Sequence, residues 1–187
     1  MTLIMGAVKD GKRYLASDSQ GSNRFTKGIY KNNKIFAKGD MLIGGCGSYK
    51  QLQLLEHNFT PPERSTVDDI SKYMFTKFAP AVKQFFKDNG VLTTRDGQDS
   101  NDSGAFIIMY GDRIFILQSD LALLEPNENF TCVGSGEYHA YAAIRGLTEA
   151  NPKMAMPTVF KKALAITTDV VMSVGGEMHL ITKEVKQ

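Results

Sequence analysis

Three turn signals, each set between two short apolar runs, constrain this chain more than any other feature. Asp10-Gly11 separates residues 3–8 from 13–18. Gly39-Asp40 separates 34–37 from 41–44, and Gly111-Asp112 separates 105–110 from 113–117. A tight turn of Gly and Asp between short apolar runs is a β-hairpin signature. Chains that open with hairpins do not build alternating β-α-β units, so a doubly wound parallel sheet is not expected.

Helix signals fall between the hairpins. Ser48 is placed to cap a helix over 49–59, with Leu52, Leu54 and Leu55 on its apolar face. Pro61-Pro62 ends it. Ser65 to Asp69 holds a second cap. The helix beyond, to about residue 87, spaces Ile70, Tyr73, Met74, Phe78, Val82, Phe85 and Phe86 three and four apart. Pro80 predicts a kink or a split within it. Strands are expected again at 121–124 and 130–133. Gly134-Ser135-Gly136 opens a helix over 137–148, a further helix covers 158–172, and a last strand covers 178–185. The polar stretches 20–31 and 93–104 read as surface loops.

The order is four strands, two helices, four strands, two helices, one strand. It predicts an α+β fold: two antiparallel sheets stacked face to face with helix layers outside, a four-layer αββα sandwich, in one domain over 1–187. With 42% apolar and 22% charged residues, the 187-residue chain has material for such a core.

Charge and cysteine usage narrow the function. A net charge of +2 with no Lys/Arg block gives no reason to expect a nucleic acid or anionic membrane partner. No apolar run reaches the roughly 18 residues of a membrane span. His57, His139 and His179 lie far apart, and Cys46 and Cys132 form no CxxC pair, so no metal or other cofactor is expected. The two cysteines leave one disulfide or two thiols open. With no signal-peptide pattern ahead of them, two reduced thiols in a cytoplasmic protein are expected.

The residues with chemistry to offer are Thr2, Asp18 and Lys34, spaced sixteen apart twice over and each at a strand start or end. A threonine hydroxyl needs a base to become a nucleophile. If Met1 is removed, the α-amine of Thr2, with a reference pKa of about 8, is a base on the same residue. A lysine beside it favours the neutral amine and stabilises a forming alkoxide, and an aspartate beside the lysine keeps it charged and aimed. An oxyanion needs a backbone N–H, which the glycine-rich turn 44–48 offers. Taken alone, the same residues also read as a frayed terminus, a strand cap and a solvated charge.

Five pieces in series carry a resemblance: Thr2-Leu3-Ile4, Leu15-Ala16-Ser17-Asp18-Ser19, Asn33-Lys34-Ile35, Ile43-Gly44-Gly45-Cys46-Gly47-Ser48 and Val133-Gly134-Ser135-Gly136. They resemble the successive motifs of proteasome β-type subunits, and with the chain length they are most similar to the HslV-like peptidase family. The resemblance implies the N-terminal nucleophile (Ntn) hydrolase fold and a threonine endopeptidase. Thr2 would be the nucleophile, Asp18 and Lys34 its charge partners, Gly47 the oxyanion N–H, and Ser135 a hydrogen-bond partner near the amine. Gly45 would sit at the specificity pocket and imply a roomy or shallow one, and Gly21 and Ser22 would flank the bound peptide. The resemblance further implies stacked homo-oligomeric rings, unfolded protein substrates, and an ATP-dependent unfoldase partner as the only user of ATP.

One stretch departs from the pattern of β subunits, which carry Asp-x-x-Ser-Gly-Gly late in the chain. Here the stretch reads Ser173-Val174-Gly175-Gly176 with Val171 at the Asp position, a pattern HslV-type chains also lack. Asp169 reads as an ordinary helix residue and His139 as a surface histidine. Two other functions fit the same residues: a catalytically inactive structural or assembly subunit of the same fold, and an amidase acting on a small molecule.

Overall fold

The structure is a computed structural model and describes residues 2–23, 25–65, 67–95, 97–100 and 104–185. Met1 and Thr66, which the sequence reading used, lie outside the described residues.

The chain opens with six strands: β1 (Leu3–Lys9), β2 (Lys12–Asp18), β3 (Gln20–Ser22), β4 (Lys27–Ile29), β5 (Ile35–Lys38) and β6 (Met41–Gly45). Helices follow: α1 (Tyr49–His57), α2 (Ile70–Tyr73), a π-helical turn (Met74–Phe78) and α3 (Ala79–Asp88). A second run of strands comprises β7 (Thr93–Arg95), β8 (Gln98–Ser100), β9 (Phe106–Tyr110), β10 (Arg113–Leu117), β11 (Leu123–Leu124) and β12 (Phe130–Gly134). Helices α4 (Glu137–Ala150) and α5 (Met156–Val170) and strand β13 (Met178–Glu184) close the chain.

Two antiparallel sheets hold most of these strands, in the orders β12-β1-β2-β13 and β11-β10-β9-β6-β5. Side chains divide by strand alternation. Ile4, Leu15, Ile35, Leu42, Ile107, Met109 and Val133 form a buried cluster between the sheets. Leu3, Met5 and Ala16 point the other way and pack with Ala140, Ile144, Val159, Phe160 and Ala163 of α4 and α5. Ile43, Phe106, Ile108 and Phe115 pack with Leu52, Leu55, Met74, Phe78 and Phe86 of the other helical layer. The layers are therefore helix, sheet, sheet, helix, as expected from the sequence. β1, β6 and β9 are apolar on both faces because both faces are covered.

Local signals explain the elements. Asp10 and Gly11 both have positive φ, 51° and 71°, as a type I′ turn requires. The Ser48 hydroxyl caps α1 by accepting Gln51 N–H at 3.4 Å. Asp69 caps α2 by accepting Lys72 N–H at 3.0 Å. The split expected at Pro80 takes the form of a change in helix type, with Pro80 in the first turn of α3. The π-helical turn precedes it, with Ala79 N–H donating to Met74 O, five residues back. The wider turn makes room where the proline ring would crowd the carbonyl four residues earlier.

Two expectations are corrected. Residues 20–31 contain the small β3–β4 hairpin, in which Gly21 faces Gly28. Residues 93–104 contain the β7–β8 hairpin, with Thr94 opposite Asp99. Both pairs are short and polar and bury no alternating apolar face, so periodicity gives no sign of them. Among the described residues, no helix is long and apolar enough to cross a membrane.

Candidate active site

Antiparallel pairing places the chain's start between two strand ends. β1 lies between β12 and β2, with Leu3 opposite Gly134 and Ile4 opposite both Val133 and Ser17. The start of β1 thus meets the end of β2, at Asp18, and the end of β12, at Gly134-Ser135. Thr2 is held there, 5% exposed.

Asp18 is the hub on one side. Its Oδ1 accepts Leu3 N–H at 3.0 Å and Lys34 Nζ at 2.6 Å, and its Oδ2 accepts Gly175 N–H at 3.2 Å. Lys34 Nζ also donates to Gln20 O at 2.6 Å. Asp18 is 0% exposed and Lys34 1%. A buried ion pair persists only when further hydrogen bonds satisfy both partners, and here backbone groups supply them. Lys34 directly precedes β5, in the second sheet, so the pair ties the two sheets together at one end. Burial lowers the lysine's pKa below its ordinary value, and the Asp18 carboxylate works against that shift.

Ser135 and Ser173 form the other side. Ser135 Oγ accepts Thr2 N–H at 3.2 Å. Its single proton has two acceptors in reach, Thr2 O at 3.3 Å and Ser173 Oγ at 2.8 Å. The close approach depends on Gly134, whose φ is +107°. A Cβ there would lie 2.2 Å from Thr2 O. Ser173 was not foreseen as a site residue. The one hint in the sequence is its place in the altered Ser-Val-Gly-Gly stretch, where Gly175 also turns out to bind Asp18. Asp169 is exposed on α5, as an ordinary helix residue would be.

The structure thus brings Thr2, Asp18, Lys34 and Ser135 together. Gly47 lies on the exposed turn between β6 and α1 with φ +103°. The Cβ of its neighbour Cys46 stands 3.4 Å from where a Cβ on Gly134 would be, which sets this turn beside the Thr2 carbonyl.

Of the two alternatives at Gly45, the packing disfavours a roomy pocket and leaves the shallow one. A Cβ on Gly45 would meet the Phe106 ring at 2.4 Å and Leu52 Cδ2 at 3.0 Å, so this glycine makes room for core packing. Gly21 is buried under Tyr30, whose ring a Cβ would meet at 2.5 Å. Ser22 is half-buried, and its hydroxyl has no hydrogen-bond partner among the described residues.

A cleft of about 710 Å³ is lined by Ser22, Ser135 and Ser173 among others. His139 is exposed at this cleft and remains a surface histidine. Cys46 and Cys132 are free thiols, both buried, as the sequence led us to expect. Burial pushes both thiol pKa values up, that of Cys132 far up. Among the described residues, no group of three or more His, Cys, Asp or Glu side chains is placed to hold a metal ion.

No protein-family model matches the chain. In sequence it is similar to the ATP-dependent protease subunit HslV of Roseobacter denitrificans, at 27% identity over 193 residues, covering 97% of this chain and 92% of that one. In structure it is similar to Thiobacillus denitrificans BPH in complex with epoxomicin, with a TM-score of 0.80 and 17% identity, covering 99% and 100% of the two chains. It is also similar to eukaryotic HslV from Trypanosoma brucei, with a TM-score of 0.70 and 17% identity over 97% and 99%. Along its whole length, the chain has the proteasome-type Ntn-hydrolase fold and resembles the HslV-like proteasome β-type family.

Proposed function

We propose that this chain is the peptidase subunit of an HslV-like, ATP-dependent protease, and that Thr2, freed by removal of Met1, is its nucleophile. The observation that carries the reading is the fully buried Lys34–Asp18 pair fixed against the first turn of β1. Such a pair is costly to bury, and beyond tying the sheets together it sets an ammonium and a carboxylate at the start of β1.

In this reading the Thr2 α-amine takes the hydroxyl proton as Oγ attacks a peptide carbonyl. Lys34, as the ammonium, keeps the amine neutral and stabilises the forming alkoxide, while Asp18 holds Lys34 in place. The Gly47 N–H receives the oxyanion. Ser135, steadied by Ser173, orients the amine. The peptide C–N bond breaks, the amine returns its proton to the leaving nitrogen, and a Thr2 ester remains. Water, activated by the same amine, hydrolyses it. No metal or organic cofactor takes part in this scheme.

The names of the relatives, ATP-dependent protease subunits, support an ATP-dependent partner and an assembly of subunits. The subunits assemble as stacked homo-oligomeric rings in the cytoplasm, all 187 residues forming one domain. An ATP-dependent unfoldase delivers unfolded polypeptide. The test is degradation of an unfolded substrate such as casein by the assembled, Met1-free protein and by its Thr2→Ala variant. The reading requires activity in the first and none in the second. Equal activity in both overturns the assignment of Thr2, and none in either leaves a structural subunit.

A further inference from the structure

The cleft beside Ser135 is not used by the chemistry described above, and its lining is unusual for a surface. Phe25, Val170 and Met172 are 88%, 62% and 91% exposed, and all three line it. They belong to the loop before β4, the end of α5 and the loop after α5. Three such side chains around one concavity form an apolar surface facing solvent. The hydroxyl residues Ser135 and Ser173 line the same cleft.

Proton transfer fixes which part of a substrate would reach it. In the scheme above, the proton removed from Thr2 Oγ rests on the Thr2 amine and must pass to the leaving nitrogen as the C–N bond breaks. That nitrogen must therefore lie within hydrogen-bond reach of the amine. Thr2 N is itself in contact with Ser135 Oγ, at 3.2 Å. The leaving nitrogen thus emerges on the side of Ser135, which itself lines the cleft. Lys34 and Asp18 lie on the other side of Thr2, walled in by Gln20 and Gly175.

We infer that this cleft is a specificity pocket for the leaving side of the scissile bond, taking an apolar side chain from the residue just after the cut. The inference rests on the reading of Thr2 as nucleophile. It assigns Phe25, Val170 and Met172 as specificity-determining residues, with contacts to substrate but no part in bond making. A pocket of this kind discriminates through the apolar surface it covers, which is worth about 10-fold or more between a large apolar and a small polar side chain.

The test uses the assembled protein and two readouts. The first is the rate at which Thr2 is labelled by a peptide epoxyketone, which carries residues only on the acyl side of its ketone. The second is cleavage of peptides identical except for Leu, Ser, Asp or Lys after the scissile bond. Wild type should prefer Leu over Ser and Asp by about 10-fold. A Val170→Asp/Met172→Asp variant should lose that preference and gain on Lys, with labelling unchanged. Phe25→Ser should weaken the Leu preference alone. An unchanged preference with labelling intact overturns the pocket. So does a variant that falls apart into smaller species, because the face would then be an interface between subunits. Absence of labelling in wild type overturns the nucleophile reading itself, and the pocket with it.

Discussion

Lys34 Nζ stands 2.6 Å from Asp18 Oδ1, with neither side chain more than 1% exposed. Removing one partner strands the other as a buried charge. Asp18→Asn or Lys34→Met should each cost about 3–5 kcal/mol, measured by urea unfolding. The double variant should recover part of that loss, because no lone charge remains. Strictly additive losses would mean that the pair is not coupled.

Gly134→Ala should be among the most damaging single-methyl changes in the chain. The new Cβ would meet Thr2 O at 2.2 Å, at a backbone φ of +107° that side chains rarely adopt. A loss of about 2 kcal/mol or more is expected, together with loss of peptidase activity as Thr2 is pushed off Ser135. A thermal midpoint and turnover matching wild type would contradict the geometry.

Ser173→Ala removes a hydroxyl 2.8 Å from Ser135 Oγ without touching Thr2 directly. Stability should change by only about 1 kcal/mol. Turnover should fall about 10-fold, because Ser135 loses the partner that fixes its rotamer. Parallel denaturation and kinetic measurements separate the two effects.

Tyr73 contributes to stability at alkaline pH. Burial pushes its pKa from 10.0 to about 12, and its hydroxyl donates to Pro62 O at 2.6 Å. The folded state therefore favours the protonated phenol. Its contribution is fully present below pH 10 and is lost as pH rises from there through about 12. In unfolding experiments across that window, Tyr73→Phe should start less stable at neutral pH and lose less stability as pH climbs.

Neither thiol should react with a thiol reagent in the native protein, since both are buried with raised pKa values. Both should react once denaturant is added. Rapid native labelling at Cys46 would show that the 44–48 turn opens.

Much of this molecule is legible in its sequence. The paired strands of the two sheets announce themselves because burial on both faces demands unbroken apolar runs and the turns demand Gly and Asp. The meeting of Asp18, Lys34 and Ser135 around Thr2 is legible because motif order ties them to strand ends that antiparallel pairing brings together. Ser173 was missed because its partner lies 38 residues away, across a helix pair. A serine in a loop carries no local signal of such a contact. At Gly45 the sequence leaves a roomy and a shallow pocket open, because a missing side chain tells only that space is needed, and Phe106 fills it. The β3–β4 hairpin stayed hidden because Gly21 and Gly28 face each other in it and carry no side-chain pattern.

The central claim is that the Thr2 amine and hydroxyl are the reacting groups, and N-terminal peptide mapping by mass spectrometry after treatment with a peptide epoxyketone tests it most directly. The expected peptide begins at Thr2, lacks Met1 and carries the adduct. An adduct on any other residue, or proteolytic activity from protein that uniformly retains Met1, would contradict it.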